Sequence, residues 1–152
     1  MADSEEVWKP HVTVAAVVER EGRFLLVEET SSGRVVLNQP AGHLEPGESL
    51  SDAVVRETLE EAALDIEPQS LVGIYRWEHP TKPKTFLRVA FAARILRRHP
   101  DRELDDGIHR TLWLNPEEIA EQARRLRSPL VQRSVMDYLS GHRYPLELLQ
   151  EV

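Results

Sequence analysis

The sequence predicts an α/β or α+β layered domain, and three features carry that expectation. Runs of β-branched residues open the chain, a capped glutamate-rich helix follows, and more strands precede two helices that start at Asn115-Pro116 and Ser128-Pro129. With 152 residues, 41% apolar and 30% charged, the chain fits one soluble domain able to bury a core. A net charge of −7 argues against a nucleic-acid backbone as partner, since no basic surplus exists for phosphates. A phosphorylated small molecule stays compatible if a bound metal screens its charge. The absence of cysteine excludes disulfides, zinc–thiolate sites and thiol nucleophiles. The acidic N-terminus has no signal-peptide core and no apolar run approaches the ~20 residues of a membrane span, so a cytoplasmic protein without a membrane partner is expected.

In chain order, residues 1–8 are expected to be a flexible polar tail, and 9–152 a single domain. His11–Val18 reads as a buried strand, and Glu21-Gly22 as the turn of a hairpin whose second strand is Arg23–Glu28. A short strand is expected around Val35–Leu37, then a rigid loop Asn38–Gly42. Pro46 and Gly47 keep the next segment in a turn, and Ser49 with Asp52 fits a helix N-terminus. Strands follow at 71–78 and 85–96, the second alternating Phe86, Arg88 and Ala90, so that one face is expected to be polar. Arg97–Gly107 reads as a charged loop and His109–Leu114 as a strand. Asn115-Pro116 opens a helix to about Arg127, and Ser128-Pro129 opens another to about Ser140.

The chemistry concentrates in Gly42 to Leu64, GHLEPGESLSDAVVRETLEEAAL. Glu57, Glu60 and Glu61 stand at i, i+3 and i+4 and project from one helical face. Like charges at that spacing destabilise an isolated helix by about a few tenths of a kcal/mol per pair, unless a cation joins them. Hard divalent cations take oxygen ligands. A solvated acidic face is the alternative reading. Against it, Leu50, Ala53 and Val54 form one apolar row and Val55, Leu59 and Ala62 a second, so the helix is expected to be sandwiched. Buried glutamates must be paired, hydrated in a cleft or metal-bound.

Gly42, Glu48 and the run Arg56-Glu57-Thr58-Leu59-Glu60-Glu61-Ala62-Ala63-Leu64 resemble the signature box of the Nudix hydrolases. Thr58 stands where that family usually has an aliphatic residue, and Ala63 where it usually has glycine; the carboxylates are untouched. The resemblance implies a Nudix-like α/β/α sandwich with a mixed sheet between helices, and cleavage of phosphoanhydrides with Mg²⁺, or Mn²⁺. It implies metal ligation by Glu57, Glu60, Glu61 and the carbonyl of Gly42, with Glu48 and Arg56 holding the loop and orienting a glutamate. The general base stays open between Glu57 and the loop residues Asp105 or Asp106, whose plainer reading is a solvated loop.

Further stretches, including Lys9–Ala15, Val27–Thr30, Asn38–Glu45, Leu126–Val131 and Arg143–Glu147, resemble one phosphatase branch of the family. That implies orthophosphate release from nucleoside tri- and diphosphates, hydroxymethylpyrimidine pyrophosphate and thiamine pyrophosphate by a monomer. Other readings are a Nudix pyrophosphohydrolase of nucleotide sugars or dinucleoside polyphosphates, or a non-catalytic Nudix-like binding module. The last expects eroded box glutamates, and all three are present.

Gln39 and His43 flank the box, with phosphate contact and loop structure both open. Trp77, Phe86 and Arg88 suit stacking on a ring or pairing with phosphates, with core packing the competing role for the two aromatics. Trp8 and Trp113 are assigned to packing. Arg127 suits either substrate contact or a helix cap, and Arg143-Tyr144 either substrate contact or C-terminal docking.

Overall fold

The structure, a computed structural model, describes residues 5–152. Of the expected tail, residues 1–4 lie outside the described residues; Glu5 to Trp8 are exposed and take no regular structure. Trp8 is 69% exposed, so the packing role expected for it does not hold.

The β-branched run forms β1 (His11–Val17), and Val14 to Val17 are essentially shut off from solvent. A strand apolar on both faces belongs in the middle of a covered sheet, and β1 sits there. It pairs antiparallel with β5 (Ala41–His43) and parallel with β7 (Thr85–Arg98), which pairs antiparallel with β6 (Leu64–Glu78). The expected hairpin is therefore corrected. The Glu21-Gly22 turn joins β2 (Glu19–Arg20) to β3 (Arg23–Ser31), and the chain changes sheet at Val18. Both turn residues have positive φ, 51° and 77°, as the favoured two-residue hairpin turn requires. Ser32 and Gly33 repeat that geometry between β3 and β4 (Arg34–Asn38), with φ of 51° and 76°. β8 (Ile108–Leu114) pairs with the other edge of β3 and completes a second, antiparallel sheet.

β6 begins at Leu64, well before the expected Leu71. Pro68 looks like a breaker, yet register shifts between Pro68 and Ser70 accommodate it in the ladder. The expected loop before the box is also partly strand, because β1 captures Ala41–His43 as an edge.

Three helices flank the mixed sheet. α1 (Leu50–Ala62) starts where Ser49 Oγ accepts the Asp52 N–H at 3.0 Å. Asp52 is its only exposed residue, which fits the sandwiched expectation. Its Ala53, Val54 and Ala62 pack with Val14, Ala16, Val89 and Phe91. α2 (Pro116–Glu121) has a full capping box between Asn115 and Glu118. It stops short of the expected Arg127 because the chain extends to bridge β4, with the Arg127 N–H on Leu37 O at 2.8 Å. α3 (Pro129–Leu139) starts on a Ser128 cap, and its Val131 and Val135 pack with Val17, Ala90, Ala92 and Ile119 on the opposite face of the sheet. Strand parity thus gives Arg88, between Phe86 and Ala90, to the α3 side. No helix among the described residues is long and apolar enough to cross a membrane.

Ala63 caps α1 in the left-handed region, at φ 54° and ψ 39°, with its N–H on Leu59 O at 3.0 Å. A Cβ there is strained where glycine is not, so Ala63→Gly is expected to stabilise the fold by about 0.5–1 kcal/mol. Urea unfolding measures it; a destabilised variant would contradict this account of the cap.

Candidate active site

Arg56 holds the acidic segment together. Its Nε and Nη2 grip the Glu48 carboxylate as a fork at 2.9 and 2.8 Å, the bidentate geometry that makes such pairs strong. Nη1 reaches Glu57 at 2.8 Å and Glu60 at 3.2 Å, and Nη2 also donates to the His43 carbonyl at 3.1 Å. The Arg56 contact holds Glu48 below the usual carboxylate range, while Glu48, foremost, raises Arg56 further above its ordinary value.

Gly42 passes so close to α1 that an added Cβ would overlap the Glu57 carboxylate. No other residue type fits beside Glu57 without displacing it. Glu61 is buried, and its Oε1 accepts the Ala41 N–H at 2.8 Å. Burial pushes its carboxyl up to about 8; the Ala41 bond opposes this, and the charges of Glu29, Glu57 and Asp105 add to it. Burial also pushes Glu57 up, against the pull of Arg56.

Glu57, Glu61 and Gly42 line a cavity of ≈ 370 Å³ whose far wall is cationic and aromatic. Arg88 is buried there, donating to Gln39 Oε1 and Asn38 Oδ1 at 3.2 Å each. Its Nε is buried with no hydrogen-bond partner among the described residues. Burial lowers Arg88 to about 10, so it stays cationic near neutrality. Gln39 is 1% exposed, and its amide donates to Val131 O and Ser134 Oγ. It props Arg88 from behind and is not among the residues lining the cavity. Trp77 and Phe86 stack at 5.8 Å with an interplanar angle of 27°, half-buried in the wall. Arg127 lines the cavity as well and pairs with buried Glu29 at 2.6 Å, not with helix carbonyls.

Three further acids lie outside the cavity lining. Glu60 is off the cavity wall, held on Arg56. Asp105 and Asp106 are exposed, but the Asp105 N–H binds Glu60 O at 3.0 Å, and only its charge of the two is felt at both Glu57 and Glu61. Among the described residues no three acidic or histidine side chains converge into a ready metal cage, because Arg56 draws Glu57 and Glu60 onto itself. Glu29 was missed by sequence reasoning; it follows Glu28 and precedes Thr30 and Ser31 on β3, and nothing local sets it apart.

The model of the NUDIX domain matches residues 9–135. The chain belongs to the Nudix family. It is 47% identical over 143 residues to Phosphatase NudJ of Escherichia coli K12 and of Shigella flexneri, covering 94% of this chain and 92% of each relative. A NUDIX hydrolase from Nitrosomonas europaea superposes with TM-score 0.93 at 47% identity, covering 95% of this chain and 98% of that one. A UDP-X diphosphatase, at TM-score 0.75 and 15% identity over 94% of this chain and 69% of that one, shares the fold. The chain is thus a Nudix hydrolase acting on phosphorus-containing acid anhydrides.

Nudix hydrolases use divalent metal ions, and the donor set suits one: the buried Glu61 and half-buried Glu57 carboxylates beside the Ala41–His43 backbone, with further negative charge from Glu29 and Asp105. The departure at Thr58 leaves no unsatisfied polar group, since the side chain is buried and its hydroxyl donates to Val54 O at 2.8 Å.

The Glu61 carboxyl has a pH consequence. An unfolded glutamate releases its proton near the ordinary value of 4.5, the folded one near about 8. The native state therefore holds the extra proton in between, and metal-free stability falls as pH rises through that window. Glu61→Gln keeps an acceptor for Ala41 and removes the ionisation. Metal-free E61Q should unfold at higher urea than the parent at pH 9, with the gap closing near pH 4.5; equal midpoints at pH 9 would contradict this.

Proposed function

We propose that this Nudix hydrolase is a Mg²⁺-dependent (or Mn²⁺-dependent) phosphatase of small pyrophosphorylated metabolites that releases orthophosphate and works as a cytoplasmic monomer. The observation that carries this reading is one cavity walled by Glu57 and Glu61 on one side and by Arg88, Arg127, Trp77 and Phe86 on the other. Its relatives named Phosphatase NudJ support the phosphatase assignment, and the candidate substrates are nucleoside tri- and diphosphates, hydroxymethylpyrimidine pyrophosphate and thiamine pyrophosphate.

Glu57 and Glu61, with the Gly42 carbonyl, are the proposed metal ligands, and Glu60 joins them on leaving Arg56. When bound, a divalent cation screens phosphoanhydride oxygens and lowers the pKa of the attacking water. Glu48 anchors Arg56, and Arg56 orients Glu57. Arg88 brings a cationic guanidinium to the cavity wall to pair with a phosphoryl oxygen, and Trp77 a face for a ring. Two carboxylates suit the role of base: Glu57 in the cavity, and Asp105 at the end of α1. Proton transfer by such a group contributes about 10²–10⁴-fold.

A phosphate assay that resolves products, run on ATP, ADP and the two pyrophosphates with Mg²⁺, tests the reading. Orthophosphate is expected from each; pyrophosphate alone from ATP would refute it. Glu60→Gln should abolish the Mg²⁺-dependent turnover without changing the fold by circular dichroism, and full activity would remove Glu60 from the site. Comparing kcat against pH for Glu57→Gln and Asp105→Asn assigns the base, whose replacement alone should flatten the acidic limb; if neither flattens it, both assignments fail.

A further inference from the structure

A second cavity, of ≈ 200 Å³, continues the first beyond the aromatic pair: Trp77, Phe86 and Arg127 belong to both walls. It opens between two hairpin tips. Arg34 comes from the β3–β4 hairpin, and Lys82 and Lys84 from the β6–β7 turn. No carboxylate lines this cavity although the chain carries a net charge of −7. Elsewhere on the surface, Arg23, Arg76, Arg94, Arg110, Arg125 and Arg133 pair with acids, whereas Arg97, Arg98, Arg102 and Arg143 form no ion pair among the described residues. Arg34, Lys82 and Lys84 form no such pair among the described residues.

Hydrogen bonds order the turn that carries the lysines and hold the Lys82 and Arg34 side chains. His79 Nδ1 accepts the N–H groups of Thr81 and Lys82 at 3.2 and 3.1 Å, and the His79 N–H binds Lys84 O at 2.8 Å. Lys82 Nζ crosses to Ser32 Oγ at 3.2 Å, which ties a tip of one sheet to a tip of the other. Arg34 Nη2 donates to Arg124 O at 3.4 Å and keeps its remaining donors. Unpaired cations grouped beside an aromatic wall suit an oxyanion carried on the same molecule as a ring.

We propose that this basic groove is an anion subsite for a second, non-scissile phosphoryl group of the substrate, on the opposite side of Trp77 and Phe86 from Glu57 and Glu61. It rests on the catalytic reading above for where the anhydride lies. It narrows the substrate class to phosphoanhydrides that bear a further phosphoryl group at their remote end.

Adenosine 3′,5′-bisphosphate and AMP differ only in that second phosphate, and neither contains an anhydride, so calorimetric titration reads the groove without turnover. The bisphosphate is expected to bind the wild-type protein roughly tenfold more tightly. Arg34→Gln with Lys84→Gln should erase that difference while leaving AMP affinity and Tm unchanged. Equal affinity of the two ligands for the wild type, or equal loss of both in the variant, would overturn the subsite. So would orthophosphate binding in the groove with no preference for the bisphosphate, which would mark a free-anion site. In turnover, 3′-phosphoadenosine 5′-diphosphate should show a lower KM than ADP at similar kcat, and the variant should lose only that KM advantage. Preference in binding with no turnover of either would leave the groove standing and refute the catalytic reading; turnover without preference does the reverse.

Discussion

The Arg56 guanidinium is the constraint on which the site depends. It takes Glu48 as a fork, Glu57 and Glu60 on one nitrogen, and the His43 carbonyl besides. Removing one partner of such a half-buried network leaves the others uncompensated, which is worse than never having built it. Yet one positive charge does not neutralise the carboxylates around it, and Glu61, buried out of its reach, has only a backbone N–H. That deficit is the electrostatic basis of the cation site proposed above. Stability and function pull in opposite directions here.

Around this hub, backbone placement matters as much as charge. β5 brings Gly42 against Glu57 and Ala41 against Glu61, so the edge strand of the mixed sheet sets the position of both carboxylates. On the other wall, strand parity turns Arg88 away from α1; Asn38 and Gln39 at the end of β4 accept from it, and Ser134 of α3 holds Gln39. The cavity therefore runs from an acidic end to a cationic one, with stacked aromatics along it. A molecule with separated anionic and aromatic parts matches that polarity.

Legibility followed the range of the interactions. The caps at Ser49, Asn115 and Ser128 depend on residues two or three apart, and all three helix starts were readable. The hairpin at Glu21-Gly22 was readable as a turn but not as a pairing, because β1 takes partners far along the chain. β6 was cut short by reading Pro68 as a stop, when an irregular register accommodates it. Gln39 looked available to substrate because nothing local reveals that Val131 and Ser134 occupy its amide. Glu29 gave no signal until its partner Arg127, remote in sequence, came beside it.

By itself the sequence determined the chemistry of α1: which carboxylates share a face, where the helix starts, and that Glu48 and Arg56 flank it at a spacing the Nudix family uses. Those are properties of one helix and one loop, set by its rotation per residue. Only the tertiary structure decided which of those glutamates face the cavity, that Arg56 rather than solvent neutralises Glu57 and Glu60, and that Arg88, Arg127 and two hairpin tips form the opposite walls. Those are contacts across strands and between sheets, where position along the chain says little about position in space.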